Sequence, residues 1–149
     1  MPRVIRTFSA DSDFQKLVKL LDRDLAVTDG DEHAFYDQFN KIDSINQVVL
    51  LYQEGEVVSC GALKAFSPDT MEIKRMFTRA EFRGKGYAGM VLKELEKWAK
   101  EQEYNRCILE TGVRQPDAIA LYKKQGYELI ENYGQYAGVE NSLCFSKTI

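Results

Sequence analysis

Histidine is almost absent from this 149-residue chain: there is one, His33. The three cysteines, Cys60, Cys107 and Cys144, lie far apart, each inside an apolar, strand-like run. Without paired Cys/His spacing, neither a zinc site nor a C-x-x-C redox pair is expected, and no metal enters the expected chemistry. The cysteines read as small buried hydrophobes in a reducing compartment. No apolar run approaches a membrane span, and MPRVIRTFSADSDF lacks the apolar core of a signal peptide. A cytoplasmic protein is the expectation. An excess of one charge is also lacking. The net charge is -3, and Lys and Arg form no run that would track a phosphate backbone, so no nucleic-acid partner is expected. Repeats, linkers and low-complexity tracts are missing, and the length fits one domain, 1–149.

What is present is periodic. Arg3 to Phe8 reads as a first strand, followed by Asp11 and Ser12 as helix caps. Phe14, Leu17, Val18, Leu21 and Leu25 form one apolar helical stripe. A short helical piece is expected over 33–39. Val48 to Tyr52 and Val57 to Leu63 read as strands joined at Glu54-Gly55, and Met71 to Thr78 as a third. Ala88, Val91, Leu92, Leu95, Trp98 and Ala99 mark a strong helix, with Lys93, Glu94, Glu96 and Lys97 expected on its outer side. Arg106 to Glu110 is a strand. Pro116 to Gln125 is a helix, with proline near its start and Gly126 past its end. Tyr127 to Ile130 and Ser142 to Ser146 are the last strands. Hairpins first and a right-handed βαβ crossover in the middle imply a mixed sheet covered by helices, an α/β or α+β domain.

One short stretch has two readings. In RGKGYAG, Gly84, Gly86 and Gly89 spell G-x-G-x-x-G, the dinucleotide fingerprint, and Glu110 falls at about the twenty-residue distance of a ribose-binding acid. Read from Arg83, the same stretch is R-x-x-G-x-A. Three features oppose a dinucleotide. Arg79 to Arg83 intervene between the strand and the first glycine, a hairpin precedes the motif strand, and the chain after Glu110 is too short for a second mononucleotide half. A phosphate cradle at a helix start satisfies every residue of the second reading. Gly84 and Gly86 admit an anion to the backbone, and Arg83 and Lys85 add cationic partners.

The strand MEIKRMFT, the loop RGKGYA, the strand CILETG and the segment AIALYKKQGY together resemble the GNAT superfamily of acyl-CoA-dependent N-acetyltransferases. The resemblance is carried by residues from about Met71 to Tyr127. It implies a mostly antiparallel sheet with a central, splayed parallel pair, and acetyl-CoA as cofactor. The pyrophosphate would lie on Arg83, Gly84, Lys85, Gly86, Tyr87 and Ala88. The pantetheine arm would pair with the backbone near Met76, Phe77 and Thr78, where a bulge would expose an oxyanion donor. The family often forms dimers, which leaves a homodimer open.

Acetyl transfer to an amine also needs a proton donor for the thiolate and a route for the amine's proton. The resemblance makes Tyr122 the acid, against the reading of a core aromatic beside Ile119. It makes Glu72 a base or amine binder, against a surface ion pair with Lys74, which alternation places on the same face. His33 is the other titratable candidate near neutrality. In the resembled fold, two segments border the acceptor pocket: DGDEHAFYDQFN, with His33 and Tyr36, and NYGQYAG, with Tyr133 and Tyr136. Arg75 is expected to meet either an acceptor carboxylate or a strand-end acid. The expected function is direct acetyl transfer to a small-molecule amine. A non-catalytic acyl-CoA sensor and a peptide or protein amine are the alternatives.

Overall fold

The computed structural model describes residues 1–29 and 46–149. The hairpin and crossover signals resolve into one seven-stranded sheet. Its strands are β1 (Arg3–Thr7), β2 (Gln47–Gln53), β3 (Glu56–Ser67), β4 (Thr70–Thr78), β5 (Arg106–Gly112), β6 (Glu128–Ile130) and β7 (Ser142–Thr148). They lie in the order β1-β2-β3-β4-β5-β7-β6. Every neighbouring pair is antiparallel except β4 and β5, which helix α2 (Tyr87–Glu101) joins as a crossover. Helix α1 (Ser12–Asp29) follows β1, and α3 (Pro116–Lys124) follows β5. The helical piece expected over 33–39, with His33 and Tyr36, lies outside the described residues. No described helix is long and apolar enough to cross a membrane.

The period of two along β2 sorts its side chains to opposite faces. Val48 and Leu50 pack with Phe14, Leu17, Val18 and Leu21 of α1. Val49 and Leu51 pack with Val91, Leu92, Leu95 and Ala99 of α2. The α1 stripe begins where expected because Asp11 Oδ1 accepts the backbone N–H groups of Asp13 (2.8 Å) and Phe14 (3.2 Å), capping the helix. Burying each such Leu or Val side chain contributes about 1.5–3 kcal/mol relative to exposure. One face assignment is corrected. Glu96, expected on the outer side of α2, is buried: its carboxylate accepts the Tyr127 hydroxyl (2.8 Å) and the Lys147 ammonium (2.9 Å). A carboxylate with two such donors can leave water where an unpaired one could not.

The feature that positions the site is a bulge between β3 and β4. Cys60 pairs with Phe77, and Ala62 with Lys74, so Gly61 alone faces both Arg75 and Met76. Arg75 takes up the extra residue at φ 57°, a left-handed conformation rare for an arginine. The bulge reverses the alternation of β4. Met71, Ile73 and then Met76 face the α2 core, whereas Phe77 joins the α1 core. Unbulged, Arg75 would follow Ile73 into the apolar layer under α2. Instead its guanidinium reaches Asp22 of α1 at 2.6 Å. Glycine fits this crossing closely: a Cβ there would stand 2.5 Å from Met76 Sδ and 2.7 Å from Leu95 Cδ1, and those side chains would have to shift to admit it.

Candidate active site

Strands β4 and β5 pair at only three positions, Thr70–Arg106, Met71–Cys107 and Glu72–Ile108. Beyond them the strands part, and from Ile73 onward the β5-facing edge of β4 has no strand partner among the described residues. A cavity of about 110 Å³ fills the gap. Leu21 and Leu25 of α1 border it on one face of the sheet, and Ala118 and Tyr122 of α3 on the other. Its strand lining includes Glu72, Lys74, Arg75 and Met76 from β4 and Glu110 and Thr111 from β5. The cavity therefore passes through the sheet at the splay.

The phosphate-loop candidates lie beyond the end of β4. A 3₁₀ turn, Ala80–Phe82, leads to Arg83, and Gly86 forms the N-cap of α2. Gly84 and Gly86 adopt φ 78° and 83°, and a Cβ built on either meets nothing within 4 Å. The space over the loop is open, as an incoming anion requires, and the glycine conformation turns the chain into the first helical turn. Gly89, third in the fingerprint, is buried instead against Gln125, 3.1 Å from its would-be Cβ, and serves packing of α2 on α3. Lys85 is exposed, and Tyr87 and Ala88 are half-buried in the first turn. Arg83 is already engaged with the protein. Its Nε donates to Thr78 O (2.8 Å), its Nη2 to Asp24 of α1 (2.9 Å), and its guanidinium stacks on Phe77. Thr78 is tied to β3 through its hydroxyl, 2.8 Å from that of Ser59.

Tyr122 lies under the splay. Its ring packs edge-on to Tyr127 and tilted to Phe145, as the core reading expects, and the residue also borders the cavity. Burial, with the charge of Glu110, pushes its hydroxyl above the ordinary tyrosine range and holds it protonated.

The surface reading of Glu72 is overturned. Glu72 is 4 % exposed and Lys74 7 % exposed. They are buried because the segment after β6 folds back over them. Asn132 Nδ2 pins that segment to Val139 O (2.9 Å) and Ser142 O (3.0 Å). Tyr133 then donates to Glu72 Oε2 at 2.7 Å, and Tyr136 is buried with its hydroxyl 3.4 Å from Lys74 Nζ. Lys74 Nζ and Glu72 Oε2 stand 3.9 Å apart. Desolvation lowers the Lys74 pKa despite the attraction of Glu72 and Glu110, and raises those of Tyr133 and Tyr136. The acid that Arg75 meets lies on a helix and not at a strand end, and its buried Nε has no hydrogen-bond partner among the described residues.

The splay thus gathers Glu72, Arg75, Met76, Tyr122 and Tyr136 of the predicted residues, with Tyr133 behind Glu72. Phe77 is buried among α1 residues, and the Arg83–Ala88 loop lies beyond Thr78. Lys74, Glu110 and Asp22 were missed as site residues. Alternation had already put Lys74 beside Glu72. Asp22 directly follows Leu21 of the apolar stripe, but nothing local marks it as an arginine partner.

The model of the acetyltransferase (GNAT) family matches residues 14–127. The IAA acetyltransferase of Azospirillum brasilense is 35% identical over 98 residues, 65% of this chain and 64% of that protein. The chain therefore spans just under two thirds of that relative's length. A Klebsiella pneumoniae structure described as an acyl-CoA N-acyltransferase has the same fold, with a TM-score of 0.82 at 24% identity, covering 99% of this chain and 97% of that one. A GNAT family acetyltransferase from Elizabethkingia anophelis, with acetyl-CoA bound, superposes with a TM-score of 0.72 at 19% identity, covering 99% and 98%. A family match across most of the chain, on a sheet splayed beside a glycine loop, leaves one assignment: the chain belongs to the acetyltransferase (GNAT) family.

Proposed function

We propose that the chain is one catalytic domain, 1–149, an N-acetyltransferase that moves an acetyl group from acetyl-CoA to an amine of a small molecule. The observation that carries this reading is the parting of β4 from β5 after Glu72 and Ile108, with Tyr122 beneath the gap. A splayed strand edge offers backbone groups to an extended amide-bearing chain, as a neighbouring strand would. The open glycine loop fits the cofactor's pyrophosphate, held by the N–H groups of the first turn of α2 with Lys85 beside it. Arg83 braces that loop through Thr78 O and Asp24 while lending it positive charge. Backbone near Met76, Phe77 and Thr78 would hold the pantetheine arm, and a bulge N–H would face the developing oxyanion.

Acetyl-CoA supplies an activated thioester. Tyr122 gives the sulfur a proton as the carbon–sulfur bond breaks and the carbon–nitrogen bond forms. Glu72, steadied by Tyr133, takes the proton released by the amine. Arg75 and Tyr136 shape the acceptor side of the cavity. Release of free thiol from acetyl-CoA in the presence of an amine panel tests the reaction. The reading requires amine-dependent release, and thermal stabilisation by CoA but not by NADH. Stabilisation by NADH alone would overturn it.

A further inference from the structure

The arginine that opens the glycine loop is turned away from it. An anion held by the loop would lie over the first turn of α2, which begins at Tyr87. The Arg83 guanidinium lies elsewhere. It stacks over the Phe77 ring, 5.6 Å from the centroid, and its Nη2 donates to Asp24 at 2.9 Å. Its Nε donates to Thr78 O at 2.8 Å, on the strand end proposed for the pantetheine arm. Phe77 packs with the side chains of α1, whereas α2 covers the opposite face of the sheet. The charge is therefore held on the α1 side. To meet an anion at the head of α2, the guanidinium has to leave Asp24.

Asp24 is one of two aspartates that α1 sets against arginines. At 3.6 residues per turn, Asp22 and Asp24 fall roughly 80° to either side of the ridge made by Leu21 and Leu25. Asp22 takes Arg75 at 2.6 Å, and Asp24 takes Arg83. The two pairs differ in burial. The Arg75 side chain is 4 % exposed, and removing its partner would strand a buried charge. The side chains of Arg83 and Asp24 are 48 % and 53 % exposed, so both find water when they part. Asp22 and the leucine ridge keep α1 docked when Asp24 lets go. A pyrophosphate outbids a single carboxylate for the arginine, because it carries more charge and the N–H groups at the helix start hold it as well.

Resting on the reading of this loop as the cofactor's pyrophosphate site, we propose that Asp24 is an internal competitor for Arg83. It parks the guanidinium against α1, and the pyrophosphate of CoA draws it across to the loop. Asp24 is then a positioning residue that sets cofactor affinity through Arg83, without touching the cofactor itself.

Calorimetry with CoA on the full chain tests this. Asp24→Asn should bind CoA about two- to fivefold more tightly, the range of one exposed ion pair. Arg83→Ala should bind more weakly, and adding Asp24→Asn to it should change the affinity little. That cycle separates the competitor from a general charge effect, since a repulsive carboxylate acting on the phosphates directly would not need Arg83. Unchanged or weaker binding by Asp24→Asn overturns the competition while leaving the cofactor site standing. Tightening that persists in full beside Arg83→Ala overturns it too. Absence of CoA binding by the wild-type protein overturns both the competition and the cofactor reading of the loop.

Discussion

The two ends of the splay are built from opposite materials. The glycine loop is exposed, made of consecutive residues, and works through backbone conformation: φ 78° at Gly84 and 83° at Gly86. The cavity at the splay is buried and made of side chains from β4, β5, both flanking helices and the segment after β6. A polyanion in solvent can be met by N–H groups and mobile cations. Discriminating among small amines needs fixed, desolvated side chains, whose charges cost more to bury and are worth more when matched. Changes in the cavity should therefore act mainly on turnover and acceptor choice, and changes in the loop on cofactor affinity.

The largest effect should come from Tyr122→Phe. The ring keeps its packing on Tyr127 and Phe145, and only the hydroxyl proposed as proton donor is lost. Turnover should fall by about 100-fold or more, while CoA affinity by calorimetry changes little. Unchanged turnover removes Tyr122 from the chemistry. Next is Gly61→Ala, which sets a methyl against Met76 and Leu95 at the bulge. It should destabilise the fold by about 1–3 kcal/mol in urea unfolding, and a smaller loss would mean that the bulge yields.

Gly86→Ala should act at the other end. There is room for the methyl but not for the φ of 83°, so about 1 kcal/mol of strain is expected, seen as weaker CoA binding with turnover at saturating acetyl-CoA largely kept. Arg83→Ala should be the mildest, since its guanidinium is exposed and shared with Asp24. CoA affinity should fall by about three- to tenfold, and the salt dependence of binding should flatten. A turnover defect at saturating acetyl-CoA in either loop variant would break the division between the two ends.

The same division governs what could be read in advance. Element positions were legible because periods of two and 3.6 and local caps fix them. Asp11 caps α1 as expected, and the stripe from Phe14 to Leu21 is buried. The glycine loop was legible because its residues are contiguous. Glu96 was misplaced because its apparent outer position is covered by Tyr127 and Lys147, distant in sequence. Glu72 and Lys74 were taken for a surface pair on the alternative reading because nothing in MEIKRM shows that Tyr133 and Tyr136 close over it.

The sequence by itself determined the described strands and helices, the crossover and the glycine turn that opens α2, all of them consequences of short-range periodicity and backbone preference. Only the tertiary structure decided where β4 leaves β5, which way Arg75 turns, and that Glu72 and Lys74 share a buried cavity. Those outcomes depend on one bulge opposite Gly61 and on contacts between residues far apart in the chain, where packing and desolvation overrule alternation.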